Sequence, residues 1–301
     1  MAERICLFAH YDPAGKIAPH TRHYLRQIAQ CGFTIHIAVS GHPTFETDAL
    51  EALYEGLEDL PLHFYPRVNS GLDFGAWQFL LHRGCAETAQ EILFTNDSVF
   101  GPLAPLPPLM DDMRRQNYDV WGMVQSHAVT PHLQSWFVVM TTEALAHPAI
   151  QRVLNQPFSD MSKPEIILHG ELGMGLALAA TKLKVGASWR NERRIDKLLG
   201  LNPMHLEWRG VIASGRAPFI KTELLRDNPS AVWSVGTWRE AISDPHFFKP
   251  AWIEAYLAAN PRRANTAPIN WRGRLLHALC AEDRWGMLKH ILRIPFDRQR
   301  S

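Results

Sequence analysis

The chain has 301 residues, a net charge of +1, 46% hydrophobic and 20% charged residues. This is the composition of a folded globular protein with room for one large domain or two small ones, and it excludes a disordered chain. A pI near 7.8 with no nucleic-acid-binding motif argues against a nucleic-acid partner, and no apolar run approaches the roughly 18 residues that span a bilayer.

Strand and helix patterns alternate from the start. Ile5–Ala9 is a short apolar run, too short for a signal peptide. A loop with Asp12, Pro13 and Gly15 follows. Residues 20–31 place Tyr24, Leu25, Ile28 and Ala29 on one helical face, and Gly32 ends the helix. Residues 33–39 alternate as a strand, 46–57 read as a helix, and 62–65 form a third strand candidate. A helix over 75–82 leads to a fourth strand at Ile92–Phe94. This rhythm indicates right-handed crossovers and a mainly parallel sheet flanked by helices.

The Pro-rich stretch 101–108 reads as a loop, followed by a helical turn at 111–116, strands at 120–124 and 136–140, and helices at 142–154 and 171–183. Pro218–Arg226 is a short docking segment. From Trp238 onward the pattern is helical, broken by Pro245, Pro250 and Pro261. The expected organisation is one catalytic unit over 1–237, divided into halves 1–127 and 128–237, with a helical C-terminal extension over 238–301.

Charge is unevenly spread. Residues 1–181 sum to −9, 182–226 to +6 and 271–301 to +4. Basic clusters suit anionic ligands such as diphosphates or lipid head groups, and a solvated surface is the plain alternative. The four cysteines, Cys6, Cys31, Cys85 and Cys280, lack metal spacing and read as buried reduced thiols, which fits the cytoplasm.

Dinucleotide, P-loop, metalloprotease and nucleophile-elbow motifs are absent from the sequence. Candidate chemistry gathers at strand ends, where α/β proteins bind ligands. His10 and Asp12 follow the first strand, and Asp12 lacks the second Asp that a phosphatase of that type uses. Arg67, Asn69, Gly71 and Asp73 follow the third. Arg67 suits a diphosphate or Asp73; Asn69 and Asp73 suit a sugar or base. Gly71 permits close backbone approach or positive φ. The plain alternative is a tight turn in which Asp73 caps a helix over 74–83.

Thr95-Asn96-Asp97-Ser98 closes the fourth strand with one acid, Asp97. One carboxylate with phosphate oxygens and waters can hold Mg²⁺ or Mn²⁺; a metal-independent site is the alternative. His132, Gln134 and Ser135 suit sugar hydroxyls, and Trp136 or Phe137 suits stacking on a sugar. Glu171 reads either as a general base or as an acid favoured by a helix N-terminus. Gly170, Gly173 and Gly175 read as small residues for close helix packing.

Four ordered blocks carry a resemblance. R-x-N-x-G-x-D-F-G-A-W (67–77), T-N-D-S-V-F-G-P (95–102), H-L-Q-S-W-F (132–137) and P-F-I-K-x-E-L-L-R-x-N-P (218–229) resemble the rhamnan synthesis protein F family. The resemblance implies a GT-A-like fold and a glycosyltransferase of bacterial surface polysaccharide synthesis. It implies L-rhamnose moved from dTDP-L-rhamnose to a glycan or lipid-linked glycan. By position, His10, Asp12, Arg67, Asn69, Gly71, Asp73, Asn96 and Ser98 would line the donor site. Asp97 would face the diphosphate or a metal, Glu171 would be the base, and His132, Gln134, Ser135 and Trp136 would meet the acceptor. The expected location is cytoplasmic, with the basic, apolar tail 271–291 either resting on the inner membrane surface or packed on the catalytic domain. A nucleotide-sugar-binding partner without activity is the rival reading.

Overall fold

The computed structural model describes residues 3–13, 15–41, 53–191 and 202–263. Eight strands form one sheet: β1 (Arg4–Tyr11), β2 (Thr34–Ser40), β3 (Leu62–Arg67), β4 (Glu91–Asn96), β6 (Val120–Ser126), β7 (His132–Leu133), β8 (Phe137–Thr141) and β9 (Val185–Trp189). Their order is β3-β2-β1-β4-β8-β6-β7, with β9 on the other side of β6. The β3-β2-β1-β4 run is parallel, as is β6 with β9, while β8 runs antiparallel to both β4 and β6. The fold is therefore mixed α/β with a mainly parallel sheet. Two further strands, β5 (Val99–Phe100) and β10 (Ile220–Lys221), pair antiparallel beside it.

Side-chain alternation explains why the central strands read as continuous apolar runs. On β1, Cys6 and Phe8 join one core, while Ile5, Leu7 and Ala9 join the other. A strand buried on both faces has no polar side to show. Helix Pro19–Gln30 covers the first face with Tyr24, Leu25 and Ile28. Helix Leu72–His82 covers the second with Phe74, Trp77 and Leu80. A third cluster, built on Phe100, Trp208, Ile220 and Phe248, attaches residues from 206 onward.

Several boundaries differ from the sequence reading. The helix after the Pro-rich stretch runs Pro107–Arg115 because Pro107 occupies its first turn, where a missing N–H is harmless. The expected helix at 142–154 is two, Thr142–Leu145 and Pro148–Leu154, separated where Pro148 starts a new N-terminus. The helix expected from 171 begins at Lys163, passes through a π turn over Ile167–Leu172 and continues as Gly173–Ala179. Glu171 thus sits inside a helical run, away from any N-terminus. The C-terminal extension is helical over Pro250–Ala259 and preceded by a 3₁₀ segment, Trp233–Ala241. Most of the expected helix at 46–57, the basic stretch 192–201 and the tail 271–291 lie outside the described residues. Among the described residues no helix is long and apolar enough to cross a membrane.

Gly71 is the N-cap of helix Leu72–His82, with φ +68°. A Cβ there would lie 2.9 Å from Gly75 Cα and 3.0 Å from Phe158 Cβ. Conformation and space therefore both require glycine. Gly71→Ala should lose about 1–3 kcal/mol of stability, measured by urea or thermal unfolding of purified protein.

Candidate functional site

The parallel pairing of β1 with β4 builds the site. Ala9 is registered against Asn96, so the residues just beyond, His10 and Asp97, meet at the carboxyl ends of adjacent strands. His10 Nδ1 lies 2.6 Å from Asp97 Oδ2, and its Nε2–H donates to the Lys16 carbonyl at 3.0 Å. Both ring nitrogens face acceptors, which favours the imidazolium. Burial alone would lower the His10 pKa; the hydrogen bond and charge of Asp97 outweigh it, and the net shift is upward. The Tyr11 N–H also donates to Asp97 Oδ2, at 2.9 Å. Among the described residues no hydrogen bond uses Oδ1.

A polar cavity of about 570 Å³ opens over this pair. His10, Asp12, Asp73, Asp97 and Ser98 line it, so five of the sequence-expected residues converge. Asn96 lies directly behind. Its Nδ2–H donates to Asp73 Oδ2 at 2.6 Å, and its Oδ1 accepts from Ser98 N–H (3.0 Å) and Oγ–H (2.6 Å). Asp73 is therefore not a helix cap: it stands in the first turn after Gly71, and the cap makes no side-chain bond. Burial first, then the charge of Asp97, pushes Asp73 up to about 6.

Arg67 is at the same end of the sheet but outside this cavity. Its guanidinium donates to the Ser70 carbonyl at 2.6 Å and to Ser40 Oγ at 3.3 Å, closing the loop before Gly71. Asn69 is exposed and also stands outside the cavity wall. Gly71 acts through its backbone, as described.

The wall includes residues that the sequence reading did not single out. Lys16, Lys163, Arg226 and Arg263 bring positive charge. Arg226 is anchored by Asp227 at 2.8 Å, whereas Lys16 and Lys163 form no ion pair among the described residues. Helix Pro19–Gln30 points its N-terminus at the cavity, with no side-chain cap and no acidic residue in its first turn. His20, 1% exposed, lines the cavity with an Nδ1 that has no hydrogen-bond partner. Burial holds its pKa down to about 4. A buried polar atom left unpaired beside a cavity marks a place where a ligand group can bind.

Glu171 belongs to a second network. Its Oε2 accepts from Ser135 N–H at 2.8 Å and from Ser135 Oγ–H at 2.5 Å. Its Oε1 lies 3.3 Å from His132 Nε2, while His132 Nδ1 is 2.7 Å from the Thr130 carbonyl. Burial would raise the Glu171 pKa, but the hydrogen bonds of His132 and Ser135 outweigh it and hold it down to about 2. Glu171 and Ser135 face an apolar hole of about 30 Å³ rather than the polar cavity. So many donors make this carboxylate a weak proton acceptor.

Gln134 is similarly committed, donating to Asn202 Oδ1 and accepting from Trp136 Nε1–H, both at 2.8 Å. Trp136 is 1% and Phe137 0% exposed, so neither ring presents a face to a sugar. Gly170 and Gly175 do serve close packing. A Cβ at Gly170 would lie 2.9 Å from the Phe74 ring, and one at Gly175 would lie 2.7 Å from His132 Cβ.

The cavity lies at the strand ends of a mainly parallel sheet, where α/β proteins bind ligands, and its wall carries Lys16, Lys163, Arg226 and Arg263 together with Asp12, Asp73, Asp97 and Glu223. The family model "Rhamnan synthesis protein F" matches residues 48–232, more than half of the chain. The chain belongs to the rhamnan synthesis protein F family. No curated protein matches the sequence. Among solved structures, the glycosyltransferase GlyE of Streptococcus pneumoniae TIGR4 is similar at 9% identity and a TM-score of 0.44, covering 89% of this chain and 67% of that one. S. aureus TarS 1-349 gives 11% and 0.38, with coverage of 70% and 63%. HddC from Yersinia pseudotuberculosis gives 10% and 0.35, with coverage of 63% and 90%. These scores are too low to carry a function across.

The Glu171 network makes a stability prediction. A carboxyl held near 2 when folded, against an ordinary 4.5, contributes stability above about pH 4.5 and loses it as pH falls toward 2. Glu171→Gln should cost roughly 1–3 kcal/mol at pH 7, with the gap to wild type closing between about pH 4.5 and 2 in denaturation curves.

Proposed function

We propose that this protein transfers L-rhamnose from dTDP-L-rhamnose to a glycan or lipid-linked glycan acceptor. The observation that carries the reading is the polar cavity at the ends of β1 and β4, where Asp97 and His10 face an uncapped helix N-terminus and several cations. Family membership supplies the polysaccharide context, and a rhamnan is a polymer of rhamnose. The cavity is within the size range of small-molecule sites.

Sugar transfer is an in-line displacement at the anomeric carbon. It needs both substrates positioned and the leaving diphosphate stabilised. In this reading the diphosphate lies against the N-terminus of helix Pro19–Gln30, with Lys16, Lys163 and Arg226 neutralising its charge. Asp97, fixed by His10 and Tyr11, holds sugar hydroxyls.

The same arrangement favours metal-independent transfer. A bound Mg²⁺ or Mn²⁺ would neutralise the diphosphate, with Asp97 the residue to hold it. Here Asp97 Oδ2 already lies 2.6 Å from His10 Nδ1, a contact that competes for that oxygen. Among the described residues no three His, Cys, Asp or Glu side chains are grouped to hold a metal ion. In this reading the wall cations Lys16, Lys163 and Arg226 carry charge neutralisation of the diphosphate.

Thermal unfolding with a panel of nucleotide sugars tests this reading. A ligand at 100 times its Kd stabilises by about 2.7 kcal/mol. Both dTDP and dTDP-rhamnose should raise Tm, undiminished by EDTA, and rhamnose transfer should be lost in Asp97→Asn. A shift with UDP- or GDP-sugars alone would replace the donor, and an EDTA-sensitive shift would restore the metal.

A further inference from the structure

We infer that Asp73 is the residue that takes the proton of the acceptor hydroxyl, with Asn96 and Lys221 as its positioning residues. This rests on the transferase reading and adds the group that activates the acceptor.

The other acids at hand are already committed: Asp12 accepts from the Lys16 N–H at 3.1 Å, and Glu223 Oε2 lies 3.9 Å from His205 Nε2. Glu171 accepts two hydrogen bonds from Ser135 and pairs with His132, outside the polar cavity. Asp97 is gripped by a buried imidazole and a backbone N–H. Asp73 lines the polar cavity beside Asp97, and its one hydrogen bond among the described residues is to the neutral Asn96 amide.

The orientation of that amide is fixed by its other end. The Ser98 N–H can only donate, so the Asn96 atom facing it is Oδ1, and Nδ2 must face Asp73. Lys221 continues the chain. β10 pairs with β5 immediately after Ser98, and Lys221 Nζ–H donates to Ser98 Oγ at 3.2 Å. The result is a directed relay: Lys221 ammonium to Ser98 hydroxyl, to Asn96, to Asp73 Oδ2. Each donor polarises the next. Oδ1 of Asp73 makes no hydrogen bond among the described residues, so it is the oxygen available to a substrate.

The charged groups that face Asp73 are Asp97 after β4, Glu171 in the π turn and Lys221 on β10. Burial and the two acids raise its pKa to about 6, against the lowering effects of Lys221 and Asn96. A base titrating near the working pH combines ionisation with proton affinity. In the step, the acceptor oxygen bonds to the anomeric carbon as the bond from that carbon to the diphosphate oxygen breaks. The electron pair leaves on the nucleoside diphosphate, and the acceptor proton passes to Asp73 Oδ1.

The experiment is the pH profile of kcat/KM for rhamnose transfer by the full chain, as wild type, Asp73→Asn, Glu171→Gln and Lys221→Met, alongside dTDP-induced Tm shifts. Wild-type activity should rise through about pH 6 and level off. Asp73→Asn should lose about 10²–10⁴-fold in rate and keep the dTDP shift. Its own Tm at pH 7–8 should not fall below wild type. The folded pKa of Asp73 lies above its ordinary 3.8, so its stability contribution is lost as pH rises past 6. Lys221→Met should move the rising limb to higher pH. Glu171→Gln should keep a rising limb, moved to lower pH by loss of the Glu171 charge. Asp73→Asn transferring near the wild-type rate, or losing nucleotide binding together with turnover, would overturn the inference. So would loss of turnover in a folded, dTDP-binding Glu171→Gln. Wild type that neither binds dTDP nor transfers rhamnose would instead remove the donor assignment.

Discussion

The site depends on the parallel ladder between β1 and β4. Their register ends with Ala9 opposite Asn96, which brings His10, Asp12 and Asp97 to one rim although 79 residues, 12–90, lie between the strands in sequence. The interior of the ladder is apolar on both faces, so a shift by one residue would turn Cys6 and Phe8 into the core built for Ile5 and Leu7. Core packing therefore fixes the geometry of polar groups that contribute nothing to the core. His10 adds a second restraint, since its ring reaches Lys16 on one side and Asp97 on the other.

The two histidine–carboxylate pairs show how similar parts serve different ends. His132 and Glu171 are surrounded by donors and acceptors that satisfy them, and they join the π turn to the β7 hairpin. Asp97, beside His10, keeps one carboxylate oxygen without a hydrogen bond among the described residues and faces open space. Asp73 carries unfavourable burial at the edge of that space. Electrostatic strain concentrated in one cavity, with satisfied networks elsewhere, is the pattern expected of a working site.

Much of this was legible in the sequence. The alternation of apolar runs gave the strands, and the strand-end rule gave His10, Asp12, Asp73, Asp97 and Ser98. Arg67 was misjudged because a cation near a strand end reads as ligand-binding, whereas Ser40 and Ser70 use it to close a loop. Trp136 was misjudged because an aromatic beside polar residues resembles a stacking platform; its ring belongs to the core with Phe219. The start of the helical run at Lys163 had a readable signal, the capping box Ser162-Lys-Pro-Glu165, which the structure closes with bonds of 2.8 and 2.6 Å. Lys221 stands in the 218–229 block, but nothing local tied it to this cavity, and His20 had no local signal. Each becomes part of the site through tertiary pairing, Lys221 by the β10–β5 ladder and His20 by its position over Phe100 and Tyr256.

That last contact bears on how the molecule is made. Tyr256, Asn260 and Arg263 complete a wall whose opposite side is β1 and the start of the first helix. Segments far apart in the sequence must therefore meet before the chamber closes. Without helix Pro250–Ala259 the cavity would be an open trough, and the His20 ring would lose its packing against Tyr256.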